Sequence, residues 1–293
     1  MANHEAIKHG SAHEETPDRS QASSYPLGGP GEARAGGAHE ETPGRSQGSS
    51  HPLGGPGEAR VGGAIQERLI SSLPGFDPRT VPVIGVAAHL PAVPSGHLLS
   101  HALRLRFEMP RDWQPELVAE PRFTSRAPSA ASVLLAIVLR EQPMVLLTQR
   151  TVHLSAHSGQ IAFPGGKQDA EDTDLIMTAL REAQEEIGLH PQFVQVLGTL
   201  PVYRTGSAYI VTPVVAILHD GFTVERNADE VDEIFEVPLA FLMNPANHRR
   251  HAVDWDGSRR EWLSMPYQDG SHERFIWGAT AGMLRNFYRF LSA

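Results

Sequence analysis

The stretch Phe163-Pro164-Gly165-Gly166, followed by Arg181-Glu182-Ala183-Gln184-Glu185-Glu186-Ile187-Gly188-Leu189, most constrains what this chain can fold into. Paired glycines let the backbone turn sharply and approach a neighbour closely. Downstream, the apolar residues Leu175, Ile176, Ala179, Leu180, Ala183 and Ile187 fall within roughly 0° to 140° when wound at about 100° per residue, which predicts a helix over Thr173–Ile187. On the same winding Glu182, Glu185 and Glu186 share a stripe between roughly 280° and 20°. Glu186 therefore borders the buried face instead of opposing it.

An acidic stripe on a helix is ordinarily a solvated face, here with Arg181 and Glu185 paired one turn apart. Two features weigh against that plain explanation. The like charges within the stripe repel, and a carboxylate beside the buried face is costlier to ionise than one in open water. A hard divalent cation such as Mg²⁺, which takes carboxylate oxygens, removes both problems. The Gly165-Gly166 turn would let backbone approach such an ion, or a phosphate, closely. Mg²⁺ acting on a phosphate-bearing substrate is the chemistry this pattern implies.

The surrounding chain reads as scaffold for that unit. Ser132–Arg140 is a continuous apolar run rich in β-branched residues, expected to be a buried central strand, and Met144–Arg150 returns after the turn Glu141-Gln142-Pro143. Phe193–Tyr203 and Tyr209–Leu218 are further expected strands, with Arg204–Ser207 turning between them. Phe235–Pro238 leads into a short helix through Met243, and Arg249–Asp256 with Arg259–Tyr267 reads as a hairpin around Asp256-Gly257. The last expected element is a helix over Gly278–Leu291, with Met283, Leu284, Phe287, Phe290 and Leu291 on one face. Strands dominate with few helices between them, so the expected class is α+β with layered architecture, not a doubly wound sheet.

The N-terminal region reads differently. Residues 12–37 and 38–63 are tandem copies with a period of 26, differing only at Asp18/Gly44, Ala22/Gly48, Tyr25/His51 and Ala35/Val61. A solenoid of such repeats needs an apolar face in each unit. Before Val61 the large apolar residues are only Met1, Ile7, Tyr25, Leu27 and Leu53, too few to offset the entropy of ordering the chain. Residues 1–64 are therefore expected to be a disordered tail. His4, His9, His13, His39 and His51 lie too far apart in a Gly/Pro-rich chain to set a metal geometry. Residues 65–128 form a proline-punctuated lead-in, with short helices expected at Ile65–Leu73 and His97–Phe107 and apolar Phe107, Trp113 and Phe123 packing on the core. Residues 129–293 are the expected folded domain.

Charge and composition exclude several function classes. Lys and Arg number 25 against 34 Asp and Glu, a net charge of −9, and basic runs are absent from the sequence. Wrapping a nucleic acid requires many neutralised phosphates, so no nucleic-acid partner is expected. There is no cysteine, which rules out disulfides, thiolate metal sites and cysteine nucleophiles. The sequence contains no apolar run of membrane-spanning length and no secretory signal pattern at Met1–Glu5, so the expected compartment is the cytoplasm and no membrane partner is expected. Oligomeric state is left open, a homodimer included.

With these residues in view, Gly166 to Leu189 resembles the signature box of the Nudix hydrolase superfamily, a glycine, an acidic residue and then Arg-Glu-x-x-Glu-Glu-x-Gly. The first half is one residue longer than the general box, so either Asp172 or Thr173 takes the lone acidic position, and either would cap the helix. Leu146-Leu147-Thr148-Gln149-Arg150, Gly159 and Phe163–Gly166 resemble the coenzyme A pyrophosphatase branch, as do Val202–Thr205, Glu230-Val231 and Ile276–Thr280. Thr151, where Ser or Ala is usual, and Ser155, where an Arg is usual, depart from that branch.

The resemblance implies an α/β/α sandwich with a mixed sheet, and hydrolysis of a diphosphate in a small nucleotide substrate, coenzyme A or acyl-coenzyme A before ADP-ribose. It implies Mg²⁺ or Mn²⁺ held by Glu182, Glu185 and Glu186, with Arg181 orienting those carboxylates. Glu230 resembles an additional glutamate used as ligand or base, and a carbonyl in Gly165–Lys167 is a further candidate ligand. Arg150, His157, Gly165 and Gly166 are the expected substrate contacts, with His153, His157 or Arg150 able to replace the cation missing at Ser155. A Nudix fold can also serve as a nucleotide-sensing module without catalysis; that version predicts loss of the metal glutamates, and all three are present.

Overall fold

The apolar run that begins the expected domain is the centre of the molecule. In this computed structural model, which describes residues 76–122, 124–152, 158–255 and 258–293, it forms strand β2, Ser129–Leu139. The tandem repeats, the expected helix at Ile65–Leu73, Phe123, the loop residues His153, Ser155 and His157, and the Asp256-Gly257 turn lie outside the described residues.

A buried strand needs partners on both edges and apolar cover on both faces, and β2 has all four. On one edge it pairs antiparallel with β3, Pro143–Arg150, as a short turn between apolar runs predicts. On the other it runs parallel to β8, Tyr209–Leu218, from Ser129 beside Tyr209 to Val138 beside Leu218. This long pairing extends β2 three residues earlier than the apolar run suggests, because Ser129–Ala131 lie opposite Tyr209–Val211. The strand order is β4-β3-β2-β8-β6, where β4 is Ile161–Ala162 and β6 is Val194–Thr199. Three further strands attach to this sheet: β5, Gly165–Lys167, to β2; β7, Tyr203–Arg204, to β8; and β9, Val231–Pro238, to β3.

Side chains alternate across the strand. Leu134, Ala136 and Val138 face a cluster with Ala179, Ala183 and Ile187 of helix α2, Leu175–Ile187. Leu135 and Ile137 face the opposite cluster, which includes Leu103 of helix α1, Ser100–Glu108, and Leu284 and Phe287 of the C-terminal helix, Gly278–Ser292. Each fully buried Leu, Ile or Phe contributes roughly 1.5–3 kcal/mol over exposure, so both layers hold the sheet. The layered α+β architecture expected from the sequence is present.

A second, four-stranded antiparallel sheet follows the order β1-β10-β11-β12, built from Val83–Val86, Arg249–Trp255, Ser258–Asp269 and His272–Trp277. The expected hairpin is β10–β11, with Arg249 opposite Ser264. Strand β12 had no sequence forecast, since His272, Glu273 and Arg274 hide its alternation. The expected strand Phe193–Tyr203 is divided in two around Pro201, which lacks the N–H a ladder needs. A four-residue helix α3, Leu239–Leu242, follows β9, and the C-terminal helix is α4.

The lead-in is applied to this body. The forecast helix His97–Phe107 is a 3-10 turn at Ser95–Leu98 followed by α1. Phe107 and Trp113 meet Phe290 of α4, with ring centroids 4.6 and 5.3 Å apart. No described helix is long and apolar enough to cross a membrane.

Candidate active site

Helix α2 starts where a capping side chain stands directly before the first apolar position. Asp174 Oδ1 accepts from the backbone N–H groups of Ile176 and Met177, both at 2.8 Å, which satisfies donors left free in the first turn. The cap is thus Asp174, neither of the residues expected, and Thr173 makes no side-chain cap. The helix stops at Gly188, whose left-handed φ of 64° lets its N–H reach the Ala183 and Gln184 carbonyls. These ends set which residues of the acidic stripe face the sheet.

Asp172 is tied to Arg181. Arg181 donates to both oxygens of Asp172 at 2.9 Å, and Asp172 also accepts from the Asp169 N–H and the Thr178 hydroxyl. The Arg181 guanidinium holds the Asp172 carboxyl well below the usual carboxylate range. Hydrogen bonding to Asp172 in turn raises Arg181 far above its ordinary value. The same guanidinium reaches Glu185 at 2.9 Å, Glu182 at 3.0 Å and the Lys167 carbonyl at 3.1 Å. Arg181 is the brace of the helix against the Gly165–Lys167 strand.

The three glutamates of the stripe diverge in environment. The Glu186 side chain is 3% exposed and Glu185 57%, while Glu182 is intermediate. Glu186 accepts from the Gly165 N–H at 3.1 Å and from Arg150 Nη1 at 3.2 Å. Burial nonetheless pushes its carboxyl up to about 7, with Glu182 and Glu230 adding in the same direction. Burial also raises Glu182, and the charges of Glu185 and Glu230 add to it. Glu182, Glu186 and Glu230 thus form one electrostatic group, in which burial outweighs the positive charge that Arg181 brings to Glu182 and Arg150 to Glu186.

Backbone contacts bring Glu230 there from far along the chain. The Asn227 N–H donates to the Glu186 carbonyl at 2.8 Å, the Glu230 N–H to the Asn227 carbonyl at 3.1 Å, and the Thr151 N–H to the Glu230 carbonyl at 3.0 Å. The Thr151 hydroxyl donates to the Asp229 carbonyl at 3.3 Å, so this departure from the expected residue supports the loop that carries Glu230.

The glycines are required by contact. β5 lies against β2 with Gly165 opposite Val133 and Gly166 opposite Ser132. Gly165 has φ 155°, and a Cβ there would overlap the Ser132 carbonyl and Val133. A Cβ at Gly166 would overlap the Glu182 carboxylate. The second glycine lets the Glu182 carboxylate sit against the β5 backbone, where a side chain would otherwise be.

Of the sites expected from the sequence, the structure brings together Glu182, Glu186, Glu230, Arg150, Gly165 and Gly166. It turns Glu185 outward to Arg181, and His157 lies outside the described residues. The Lys167 carbonyl, a candidate ligand, is taken by Arg181. Sequence reasoning missed the Arg150–Glu186 ion pair and the Asp172–Arg181 pair. Asp174 had a readable signal, an Asp immediately before the first periodic apolar residue; Arg150 was an expected substrate contact, but its pairing with Glu186 had no signal.

The donor set suits a hard divalent cation. Burial and the neighbouring carboxylates raise the proton affinity of Glu182 and Glu186, and among the described residues Arg150 is the cation that meets Glu186. Among the described residues no three His, Asp or Glu side chains yet converge on one point, and Glu185 is engaged by Arg181.

Comparison with known proteins locates this arrangement. The NUDIX domain family matches residues 128–256. The chain is 45% identical over 158 residues to the Nudix hydrolase NudL of Escherichia coli O7:K1, covering 53% of this chain and 79% of that one. It has the same identity and coverage with NudL of Salmonella paratyphi B. Among solved structures it is similar to the Nudix hydrolase RenU of M. smegmatis, with 24% identity, a TM-score of 0.35, and 44% of this chain and 80% of that chain covered.

Proposed function

Since the chain belongs to the Nudix hydrolase family, the pyrophosphatases of nucleotide derivatives, we propose that its substrate is coenzyme A or an acyl-coenzyme A. The products are 3′,5′-ADP and 4′-phosphopantetheine or its acyl form. The observation that carries a diphosphate hydrolase is the carboxylate group Glu182, Glu186 and Glu230 beside the Gly165-Gly166 strand, where burial raises Glu182 and Glu186 despite Arg181 and Arg150. The coenzyme A assignment rests on the motif Leu146–Arg150, Gly159 and Phe163–Gly166.

Glu182 and Glu186, with Glu185 once released from Arg181, are the residues that would hold Mg²⁺ or Mn²⁺. Such an ion supplies charge neutralisation at phosphate oxygens and a more acidic water. The protein's own residues do the rest. Gly165 lets β5 lie close on β2, and Gly166 lets the Glu182 carboxylate sit against that strand. Arg181, fixed by Asp172, holds the carboxylate-bearing face of α2 in register with β5. A Glu230 carboxylate oxygen accepts the proton of the attacking water. The new P–O bond forms on one phosphorus as the bridging P–O bond breaks, leaving a phosphomonoester on each product.

ADP-ribose is the second reading, and Ser155 favours it, since a cation expected beside the coenzyme A phosphates is missing. The test is Mg²⁺-dependent hydrolysis of coenzyme A, an acyl-coenzyme A, ADP-ribose, NADH and diadenosine polyphosphates compared by kcat/KM. Coenzyme A or its acyl form is expected to lead. A higher value for ADP-ribose would replace the substrate assignment while leaving the reaction type in place.

A further inference from the structure

Arg150 stands at the end of β3 with its backbone held on two sides. Its N–H donates to the Gln160 carbonyl at 2.9 Å, and the next residue's N–H donates to the Glu230 carbonyl at 3.0 Å. A register shift between Gln149 and Arg150 sets it opposite Val231, directly after Glu230. The base of the side chain is therefore fixed, while among the described residues its guanidinium meets Glu186. That contact is a single long bond of 3.2 Å, not the bidentate fork that arginine makes with Glu233 elsewhere in this protein, where Arg274 donates at 2.6 Å to both oxygens. The Arg150 side chain is also 25% exposed, against 9% for Arg274. Arg150 is loosely held, partly open to solvent, and stands against the most buried carboxylate of the site.

From this geometry we propose that Arg150 is a placeholder cation with two alternating partners: Glu186 when the site holds no divalent ion, and a phosphate of the substrate when it does. The inference rests on the metal-site reading above and extends it. Glu186 is buried beside Glu182 and Glu230, and a buried carboxylate without a counter-charge is strongly disfavoured. Arg150 supplies that charge in the resting protein. The same guanidinium competes with a divalent cation for Glu186, so it weakens ion binding in the absence of substrate. Once Glu186 has another cation, Arg150 loses its partner in a carboxylate-rich place, and a diphosphate oxygen is the acceptor that satisfies it. Ion and substrate binding are then coupled through one side chain. The coupling is reciprocal, as binding equilibria require.

The test uses the full chain and Mn²⁺ alone, titrated with electron paramagnetic resonance detection of the free ion, without nucleotide. R150M is expected to bind Mn²⁺ about tenfold more tightly than wild type, the effect of removing one competing charge-assisted hydrogen bond. R150K keeps a charge on a shorter head and is expected to lie between the two. In turnover, R150M is expected to raise KM for the diphosphate substrate by tenfold or more, and the presence of product nucleotide is expected to tighten Mn²⁺ binding in wild type but not in R150M. A residue that merely braced Glu186 would move Mn²⁺ affinity the other way. Unchanged or weaker Mn²⁺ binding in R150M or R150K, with wild type binding the ion, would overturn the placeholder alone. A wild-type protein that binds no Mn²⁺ would overturn the metal-site reading itself, and the placeholder with it.

Discussion

Two ionic clusters of this molecule are built from the same side-chain types and solve their charge problem in opposite ways. In the first, Arg150 reaches Glu186 through a single long contact and Arg181 is shared among Glu182, Glu185 and Asp172, while burial raises both Glu182 and Glu186. In the second, Arg285 of α4 donates to Glu116 of the lead-in at 2.8 Å and to His248 Nδ1 at 3.1 Å. His248 completes that network by donating from Nε2 to the Leu242 carbonyl at 2.8 Å, and Arg250 adds a contact to Glu116 at 3.5 Å. A cavity of about 310 Å³ adjoins this second cluster, yet its buried polar groups already have partners. Full pairing marks a cluster that fastens chain segments together. Missing positive charge marks one that is completed by something else.

That contrast makes carboxylate removal diagnostic. The largest expected effect is E186Q in the first cluster. Mg²⁺-dependent hydrolysis should fall about a thousandfold, roughly 4 kcal/mol of transition-state stabilisation, while thermal unfolding stays at or slightly above the wild-type temperature because a repelling charge has gone. Undiminished turnover would remove Glu186 from the active site.

The second cluster should instead be visible in stability against pH. Burial, and then the charge of Arg285, hold His248 down to about 4 from an ordinary 6.5. The unfolded chain therefore binds the extra proton first as pH falls, so stability is full above about 6.5 and declines toward about 4. The loss is on the order of 3 kcal/mol over that window, at about 1.4 kcal/mol per unit. H248N should flatten this slope in urea-unfolding curves taken from pH 7 to pH 4; an unaltered slope would assign the acid sensitivity elsewhere.

A smaller effect is expected for E116A, which strips Arg285 of its carboxylate. Arg285 is 5% exposed and Glu116 28%, so part of the penalty for a buried unpaired charge is relieved by solvent, and a loss of about 2 kcal/mol is expected. Turnover per folded molecule should be unchanged. Reduced kcat at full folding would mean that the two clusters are coupled.

Much of this was legible in the chain. β2 and β3 show themselves because a buried strand must be apolar on both faces, as at Leu134–Val138. α4 and α2 show their buried faces at helical spacing. β4 and β5 do not, since Ile161–Ala162 and the glycine-rich Gly165–Lys167 are too short to carry a pattern and exist only because β3 and β2 offer them edges. In the site, the position of Glu186 at the border of the buried face followed from helical winding alone. The Arg181–Glu185 pair one turn apart was legible too; that Glu230 would arrive beside Glu182 was not.

What the sequence determined by itself is local: which face of α2 is apolar, where glycine is needed, and that three glutamates share one stripe. These follow from bond geometry and a fixed rise per residue, so spacing alone encodes them. What only the tertiary structure decided is the charge balance. Arg150 and Glu186 are joined across 36 positions and Arg285 and Glu116 across 169. Such distances in the chain carry no periodic signal, because sheet pairing and layer packing choose the partners. Burial then sets how strongly each unpaired charge calls for another.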